Sequence, residues 1–523
     1  MRAIDADVIV VGAGPTGLML AWELRLAGVR TLVLERQPRI RDVKKAGGLS
    51  GQILELLRFR GELGRFEAAS PGPIQAGAAL RPAPRFPWGG MHVDFTPLAD
   101  PPMQALPLPQ PILERVLDEH ARELGADIRR AHEVVGLSQD DATVTAEVRG
   151  PNGPERVTAP YLVGCDGASS RVRDLAGIPF PGITYPEVQR LASVTVPESV
   201  TVLDNGDIEV AGVGRIPFGF TRTEHGEFAL GSTDPALMGV FTSEEESTEY
   251  DDDEPMTLIE LGDSIRRVLG VDLPLGEPTR MTRFTFHARE VERYRDGRIL
   301  MAGDAAHLFP APGVALTAGL LDTVNLAWKL GADIHGWAPA GLLDTYRDER
   351  RLASARTMLH TQAQVAIRRG HDPAAQALRD LFQELLVDEQ PLQRLGALMA
   401  GSDVRYPFPG HDRHALIGTF APDLALHGDA SATSVADLMH TARPVFLDLA
   451  GRADLREIVR EWQDRVDVHT AETDDRPTDA LLIRPDVHIA WAATVDEPTD
   501  VAAPALREAL ARWFGTPVAG ERG

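Results

Sequence analysis

Glycines at a fixed spacing near the start of the chain are well suited to bind a phosphate group. Gly12-Ala13-Gly14-Pro15-Thr16-Gly17 has the spacing G-x-G-x-x-G, and an acid, Glu35, follows about 20 residues later. In this pattern the first glycine allows a tight turn, the second lets the backbone approach a pyrophosphate, and the third lets a helix pack closely. A carboxylate such as Glu35 accepts hydrogen bonds from ribose hydroxyls. The predicted dinucleotide contacts are Gly12, Gly14, Pro15, Thr16, Gly17, Glu35 and Arg36.

Three elements must position these residues. Apolar runs predict strands over 7–11 and 31–34, and a stretch with helical period predicts a helix over 18–27. Together they form a βαβ unit, in which the free N–H groups at the helix start face the phosphates. The complete unit favours a dinucleotide site over a glycine-rich turn without a ligand, and it leaves FAD and NAD open.

Two further motifs follow predicted strands. The sequence Asp166-Gly167-Ala168-Ser169-Ser170-Arg171-Val172-Arg173 comes after an apolar run over 159–164, and Gly303-Asp304-Ala305-Ala306-His307 comes after one over 297–302. An acid at such a turn either caps the local backbone or faces a ligand. Asp166 and Asp304 therefore each have two interpretations.

GxGxxG, DGxxSxxR and GDAAH in this order resemble the para-hydroxybenzoate hydroxylase family of FAD-dependent aromatic monooxygenases. The chain is most similar to members that tailor aromatic polyketides such as angucyclines and anthracyclines, and the similarity includes residues 124–130 and 482–486. The resemblance implies an α/β fold. A FAD-binding Rossmann-like domain of the glutathione-reductase type would be joined by a mixed-sheet substrate domain and a C-terminal thioredoxin-like domain without a CxxC pair.

The resemblance also implies domain boundaries. The FAD-binding domain would be discontinuous, comprising residues 1–75, 106–180 and 281–400. The substrate domain would comprise residues 76–105 and 181–280. A linker over 401–423 would lead into the thioredoxin-like domain over 424–523.

Further cofactor contacts follow from the same resemblance. Asp304 would hydrogen-bond the ribityl chain of FAD, Gln110 would lie near that chain, and Asp166 and Gly167 would contact FAD and NADPH. The segment 310–316 would face the pyrimidine side of the isoalloxazine, where a helix N-terminus stabilises the negative charge of reduced flavin. The remaining implied contacts are Lys45, Pro310, Gly313, Ala315 and Leu316, with Arg173 as a candidate phosphate partner. We assign no catalytic residue and no metal site.

Two segments depart from the family pattern. After the GD motif the family has P-x-G-G-Q-G-x-N-T-G, and in place of two glycines, the glutamine and the asparagine this chain has Pro312, Ala315, Val314 and Thr317. Lys45 and Gln52 stand where the family usually has arginines. Proline removes an N–H group and alanine resists a positive φ. Drift within a working hydroxylase and weakened FAD binding are both left open.

The resemblance implies a FAD- and NADPH-dependent monooxygenase that hydroxylates a polycyclic aromatic polyketide in the biosynthesis of an antibiotic or another secondary metabolite. The oxygen would come from O2 through a flavin C4a-hydroperoxide. A Baeyer–Villiger oxygenase on the same scaffold is the first alternative, and a flavin-impaired homologue acting as a non-redox cyclase, isomerase or binding partner is the second. The candidates for a pocket that holds the planar substrate, each equally well explained by core packing, are Trp88, Phe95, Phe218 and Phe220.

Charge and cysteine content disfavour several other classes. The 523 residues include 53 Lys+Arg and 77 Asp+Glu, so the net charge is −24, which repels nucleic acid. One cysteine, Cys165, cannot form an internal disulfide or a CxxC pair. Early acids argue against a signal peptide, and no run approaches the ~20 apolar residues of a membrane helix. We expect a cytoplasmic protein without a nucleic-acid or membrane partner, and a homodimer is left open.

Overall fold

The computed structural model describes residues 4–42, 46–71, 86–231, 236–246, 250, 255–410, 412–428, 432–474 and 476–517. Lys45, one of the predicted contacts, lies outside the described residues. The strands are β1 (Val8–Val11), β2 (Thr31–Glu35), β3 (Gly48–Ser50), β4 (Phe86–Trp88), β5 (Met91–Val93), β6 (Ala105–Pro107), β7 (Asp127–Arg130), β8 (Glu133–Gln139), β9 (Val144–Gly150), β10 (Gly153–Ala159), β11 (Tyr161–Gly164), β12 (Gly182–Thr195), β13 (Val200–Val202), β14 (Ile208–Val210), β15 (Gly214–Ile216), β16 (Gly219–Thr223), β17 (Gly226–Gly231), β18 (Leu237–Glu245), β19 (Pro278–Glu290), β20 (Arg295–Asp296), β21 (Ile299–Met301), β22 (His307–Leu308), β23 (Val445–Asp448), β24 (Asp467–Thr470), β25 (Ala480–Ile483) and β26 (Ile489–Ala493).

Twelve α-helices lie among the described residues. They are α1 (Pro15–Leu26), α2 (Gln52–Phe59), α3 (Leu63–Ala69), α4 (Gln110–Glu123), α5 (Arg171–Leu175), α6 (Leu258–Leu269), α7 (Ala315–Ile334), α8 (Thr345–Arg368), α9 (Pro373–Leu385), α10 (Glu389–Ala400), α11 (Ala453–Val459) and α12 (Thr499–Phe514). A short 3₁₀ turn covers Gly303–Ala305. Among the helices of the described residues, none is both long enough and apolar enough to cross a bilayer.

A six-stranded sheet with the order β20-β21-β11-β1-β2-β7 carries the predicted motifs. β1 pairs in parallel with β2 and β11, and β11 pairs in parallel with β21. Because parallel strands end at one edge, the turns after β1, β11 and β21 meet at the carboxyl edge of the sheet. The βαβ unit is confirmed, and α1 begins three residues before the predicted start because Pro15 suits the first helical position.

The second large sheet has the order β16-β17-β18-β12-β19-β22. All of its pairings are antiparallel, which corrects the expectation of a mixed sheet. The tight connection between β16 and β17 can join only antiparallel strands, whereas the pairings of β12 with β18 and β19 bring together segments far apart in the chain. α6 covers one face, where the shared core includes Ala192, Val194, Phe228, Leu230 and Leu261.

The hairpin β4–β5 packs on helices rather than in the sheet core. Trp88 and Phe95 are buried in a small cluster with Ile367, Leu392 and Met399 of α8 and α10. Core packing therefore accounts for these two aromatic side chains. Phe218 and Phe220 remain half-buried, and the ring of His92 on β5 lies 6.3 and 5.4 Å from theirs.

The C-terminal sheet has the order β24-β23-β25-β26, with α11 and α12 beside it. β23 pairs in parallel with β24 and antiparallel with β25, and β25 pairs antiparallel with β26. All residues of β23, β25 and β26 are buried. They belong to the same apolar cluster as the parallel sheet, so the two regions share one continuous core.

Candidate cofactor site

The turn between β1 and α1 combines two closed positions with one open position. Gly12 has φ +102°, and a Cβ there would lie 2.5 Å from the carbonyl oxygen of Cys165. A Cβ on Gly17 would overlap the carbonyl oxygen of Gly12. A Cβ on Gly14 would meet no described atom within 4 Å. The turn is therefore fixed by backbone packing at its two ends and is open in the middle, where a pyrophosphate would approach.

Helix α1 starts against this opening without a capping side chain. Pro15 occupies its first turn, and the other first-turn N–H groups have no intrahelical acceptor. Thr16 instead packs its side chain against two glycines, because a Cβ on Gly303 or Gly319 would lie 2.7 or 2.9 Å from Thr16 Oγ1. Thr16 thus packs the start of α1 against α7 and against the turn Gly303–Ala305, which we call the GD turn.

Glu35 ends β2 beside the glycine-rich turn. Its carboxylate accepts hydrogen bonds from the backbone N–H of Ala13 at 2.7 Å and of Gln37 at 2.7 Å. Two backbone donors hold this carboxylate in place, half-buried at the edge of the site. Arg36 is exposed next to it.

Gln110 connects α4 to the segment before β3. The N–H of Ala46 donates to Gln110 Oε1 at 3.3 Å, and the N–H of Gln110 donates to the carbonyl oxygen of Ala46 at 3.1 Å. Gln110 Nε2 donates to Glu114 Oε1 at 2.8 Å, and burial raises the pKa of the Glu114 carboxyl. These contacts place the Gln110 side chain beside Ala46.

Asp166 holds the start of α5. Its carboxylate accepts from Ser170 Oγ at 2.5 Å and from the Val172 N–H at 3.0 Å, and burial raises its pKa. The capping interpretation therefore describes its visible contacts. Gly167 has φ +86°, and no described atom lies within 4 Å of the position that an added Cβ would occupy there.

Arg173 contacts the backbone of the GD turn. It donates to the carbonyl oxygens of Ala305 at 3.3 Å and Ala168 at 2.9 Å, and its guanidinium lies 4.0 Å from the ring of Phe180. Arg173 is buried. In this structure it supports the backbone of the two turns rather than facing open space.

The GD turn is held by a buried carboxylate on α7. Asp322 Oδ2 accepts from the Gly303 N–H at 2.9 Å and from His307 Nε2 at 2.7 Å, while Oδ1 accepts from Arg350 Nε at 2.7 Å. Despite burial, the His307 and Arg350 charges lower the pKa of Asp322 to about 2. Against its own burial, the Asp322 charge raises the pKa of His307. Asp304, next to Gly303, is half-buried at the same edge.

Helix α7 begins at Ala315 despite the departures from the family pattern. Gly313 retains φ +86°, and no described atom would lie within 4 Å of its Cβ. Pro312 is exposed, Pro310 is buried, and Leu316 is half-buried. The first-turn N–H groups of α7 have no intrahelical acceptor, so they can donate hydrogen bonds to a ligand.

A narrow cleft of about 40 Å³ lies between this loop and residues of the C-terminal region. Gln52, Gly313 and Val314 line it on one side, and Tyr406 and Asp486 line it on another. Gln52 is buried, so the position where the family has an arginine holds an uncharged side chain in a closed environment.

Three loops at the carboxyl edge leave room for a dinucleotide. A Cβ added at Gly14, Gly167 or Gly313 would have no described atom within 4 Å, so the backbone faces open space at each of these glycines. Two uncapped helix starts, those of α1 and α7, lie beside them with free N–H groups. These residues fit a ligand with a pyrophosphate at one end and a charge-accepting ring at the other, as FAD has.

Comparison with known proteins assigns the family. Residues 5–361 match the FAD binding domain family, and residues 414–517 match the aromatic-ring hydroxylase C-terminal family. The chain belongs to the FAD-dependent aromatic-ring hydroxylases. The resemblance drawn from the three motifs is therefore confirmed, and the hydroxylase is a FAD-dependent monooxygenase of the class A type, for which NADPH and O2 are typical co-substrates.

Similar proteins extend over nearly the whole hydroxylase. 12-Dehydrotetracycline 5-monooxygenase/anhydrotetracycline 6-monooxygenase of Streptomyces rimosus is 39% identical over 520 residues, covering 98% of this chain and 99% of that protein. The structure of CabE, an aromatic hydroxylase from angucycline biosynthesis, is 35% identical with a TM-score of 0.85, covering 98% and 100% of the two chains. Dialkyldecalin synthase of Streptomyces rugosporus is 36% identical over 515 residues, covering 97% of this chain and 98% of that protein.

Asp322, Arg350 and Tyr406 are residues of the site region that the sequence does not reveal. Asp322 lies inside the family pattern after the GD motif, and Arg350 lies in the pair Glu349-Arg350 that contributes to the resemblance. That resemblance is the signal that could have singled out Asp322 and Arg350, whereas Tyr406 has no such signal. Their partners are far apart in the chain, so spacing gives no indication of their contacts.

Proposed function

We propose that the hydroxylase uses FAD, NADPH and O2 to hydroxylate a polycyclic aromatic polyketide in secondary metabolism. The observation that carries this proposal is a row of mostly apolar side chains across five strands of the antiparallel sheet, on the face opposite α6. Across this face the strand register pairs Phe220 with Ala229, Ala229 with Phe241, Phe241 with Leu191, and Leu191 with Thr282. We call these five side chains the apolar row.

The apolar row has the form of a platform for a flat ring system. Strand neighbours such as Phe228 and Val240 point into the core under α6, so alternation turns the row to the other face. All five members are half-buried rather than buried. Aromatic side chains with exposed ring surface bind planar rings by offset stacking. This geometry supports a polycyclic aromatic substrate.

A polar row lies beside the apolar row, two residues away on each of four strands: later in the chain on β16 and β18, and earlier on β17 and β12. Arg222 pairs with Glu227, Glu227 with Ser243, and Ser243 with Gln189. Glu227 is buried with its Oε2 3.2 Å from Arg222 Nε, and burial raises the pKa of its carboxyl. A substrate on the platform would thus have a polar boundary on one side, which suits a polycycle with oxygen substituents at its edge.

FAD would be held at the carboxyl edge of the parallel sheet. Bound there and reduced by NADPH, it would activate O2, one atom of which enters the product while the other leaves as water. The start of α1 would bind the pyrophosphate, Glu35 the ribose, and Asp304 the ribityl chain, while the free N–H groups of α7 would stabilise negative charge on the pyrimidine ring. The full set of proposed contacts is Gly12, Gly14, Pro15, Thr16, Gly17, Glu35, Arg36, Lys45, Gln110, Asp166, Gly167, Asp304, Pro310, Gly313, Ala315 and Leu316.

The remaining parts of the proposal concern the C-terminal sheet and assembly. The strand order β24-β23-β25-β26, with one parallel and two antiparallel pairings, supports a thioredoxin-like domain. The one cysteine of the chain, Cys165, follows β11 and lies outside that domain. The domain therefore has no CxxC pair, which supports a structural rather than a redox role for the domain. A homodimer and the predicted domain boundaries remain predictions.

Turnover with anhydrotetracycline as the probe tests the function. We expect NADPH oxidation coupled to a product that has gained one oxygen atom as a ring hydroxyl. A product with the oxygen inserted beside a ketone would indicate the Baeyer–Villiger alternative. An isomerised product without NADPH oxidation would indicate the non-redox alternative, and the similar monooxygenases favour neither of these.

A pair of phenylalanine variants tests the platform. Phe241→Ala should raise KM for the probe by roughly tenfold, since stacking by an aromatic side chain contributes about 1 kcal/mol beyond its buried area. Phe228→Leu, a change on the α6 face of the same sheet, should leave KM within about twofold. Equal KM values for both variants would contradict the platform, while FAD affinity should be unchanged in either.

A further inference from the structure

We propose that FAD binding and docking of the C-terminal unit, defined as residues 401–517, are energetically coupled through a buried network of charged side chains. The network runs from the GD turn through α7 and α8 into the C-terminal unit, and its members are Asp322, His307, Arg350, Tyr406, Glu349, Arg484 and Asp486. The inference rests on the proposed FAD site. It assigns Arg350 and Tyr406 as positioning residues for the cofactor.

The first link joins the GD turn to α8. Asp322 accepts hydrogen bonds from Gly303 and His307 with one oxygen and from Arg350 with the other. Asp322 and His307 are 0% and 1% exposed, so bulk solvent does not reach the carboxylate to replace a lost donor. The position of the Gly303 backbone, and hence of Asp304 beside it, depends on this carboxylate.

The second link crosses into the C-terminal unit. Arg350 Nη1 donates to the hydroxyl of Tyr406 at 2.9 Å, and Arg350 Nη2 donates to the Ala318 carbonyl on α7 at 3.4 Å. Tyr406 is fixed to its own unit because its N–H donates to the Gly418 carbonyl, and the Gly418 N–H donates to the carbonyl of Ile489 on β26, both at 2.8 Å. Three residues, Arg350, Tyr406 and Gly418, thus connect the carboxylate that holds the GD turn with the C-terminal sheet.

A third link secures the same interface along α7 and α8. Arg484 donates to both oxygens of Glu349 at 2.8 and 2.7 Å and to Asp486. Asn325 and Lys329 of α7 donate to Glu349 at 2.6 and 2.9 Å. Glu349 precedes Arg350 on α8, so the two links share one turn of helix. Undocking the C-terminal unit would break the bidentate Arg484–Glu349 ion pair, so this pair favours the docked arrangement.

Coupling follows from this arrangement. α7 carries Asp322 in its middle and presents its first-turn N–H groups at the proposed flavin site, so both cofactor contacts depend on one helix. If docking of the C-terminal unit orders the GD turn and α7, FAD binds an already ordered site with higher affinity. Reciprocity then requires that bound FAD stabilises the docked C-terminal unit by the same free energy.

A second buried arginine at the interface provides a matched control. Arg60 on the segment after α2 donates to Glu23 at 2.8 and 2.9 Å and to the carbonyl oxygens of Met439 at 3.2 Å and Pro485 at 2.8 Å. It is as buried as Arg350 and also joins the two regions. Pro485 lies between Arg484 and Asp486 of the network, but Arg60 contacts only its carbonyl oxygen, and none of the four contacts involves the GD turn. Loss of Arg60 should therefore lower the stability of the interface while the C-terminal unit stays docked and the GD turn keeps its position.

The test measures FAD affinity and apoprotein stability for each variant. Tyr406→Phe, which keeps the ring and removes one hydrogen bond, should raise the Kd for FAD by about fivefold. Arg350→Met should raise it by about tenfold or more, because a hydrogen bond to a charged group is at stake. Arg60→Met should lower the Tm of the apoprotein at least as much as Tyr406→Phe, yet leave the Kd for FAD within twofold.

The reciprocal readout is hydrogen exchange over residues 401–410. In the wild-type hydroxylase, FAD should slow exchange there, and in Tyr406→Phe this protection should be reduced. Equal Kd values in wild type, Tyr406→Phe and Arg350→Met would overturn the coupling while leaving the FAD-dependent function intact. A wild-type protein that does not bind FAD would overturn both, and Kd values that follow Tm in all three variants would reduce the network to a purely structural role.

Discussion

The two ends of the proposed cofactor site are fixed in different ways. At the β1–α1 turn, Gly12 and Gly17 are packed so closely against backbone atoms that a single added carbon would collide. At the loop before α7, Gly313 and Pro312 face open space, and the nearby order comes from Asp322, a buried charge further along the helix. The sequence departs from its family at the second place and keeps the pattern at the first. Contact with backbone atoms restricts residue type, whereas long-range support leaves the loop residues free to vary.

The largest expected effect is that of removing the buried charge at the flavin end. Asp322→Ala should lower the free energy of unfolding by about 3–5 kcal/mol, because His307 and Arg350 would be left buried without their partner. Asp333→Ala on the same helix is the control. Its carboxylate accepts one partly buried hydrogen bond, from the Tyr161 hydroxyl, so we expect a loss of about 1 kcal/mol. Urea unfolding measures both, and equal losses would remove the distinction between the two ends.

At the nucleotide end, two alanine substitutions should separate packing from ligand contact. Gly17→Ala should destabilise the protein by about 2–3 kcal/mol, since its Cβ overlaps the Gly12 carbonyl oxygen. Gly14→Ala, whose Cβ meets open space, should change stability by less than about 0.5 kcal/mol. It should nevertheless raise the Kd for FAD by roughly tenfold by occupying the approach of the pyrophosphate. FAD titration and thermal unfolding measure these effects. Normal FAD binding by Gly14→Ala would contradict the proposed site.

Stability against pH tests the charge at the flavin end. The pKa of Asp322 is lowered from 3.8 to about 2, so its contribution is present above pH 4 and is lost as the pH falls through about 2. We expect wild type to lose about 2 kcal/mol relative to Asp322→Asn between pH 4 and pH 2. The pKa of His307 is raised above 6.5, so its stabilising contribution is present below pH 6.5 and is lost as the pH rises through the raised value. Parallel curves for the two proteins across both ranges would contradict the ion pair.

The smallest effects should come from the open loop. Gly313→Ala should cost about 1–2 kcal/mol because φ is +86° there. Pro312→Gly, which restores the family glycine at an exposed position, should change stability by less than about 1 kcal/mol and FAD affinity by no more than roughly threefold. A large gain in FAD affinity in Pro312→Gly would show that the departures weaken the cofactor site after all.

Much of the fold could be predicted because its signals are local. The βαβ unit follows from apolar period and glycine spacing, and the buried strands β23 and β25 follow from uninterrupted apolar runs. The antiparallel order of the second sheet and the burial of Trp88 and Phe95 against α8 and α10 could not be predicted this way. They depend on which segments meet in space, and an aromatic residue has the same local pattern in a core as in a pocket.

The sequence by itself determined the family, the dinucleotide turn and the positions of the three cofactor motifs, because close backbone packing and phosphate contact require particular residues at fixed spacing. Tertiary structure alone decided that Asp166 and Arg173 support turns, that Asp322 holds the GD turn, and that Arg350 joins α8 to Tyr406. A carboxylate or guanidinium takes its role from the partner it meets after burial. Those partners lie up to 425 residues apart in the case of Arg60 and Pro485, beyond any pattern that spacing can express.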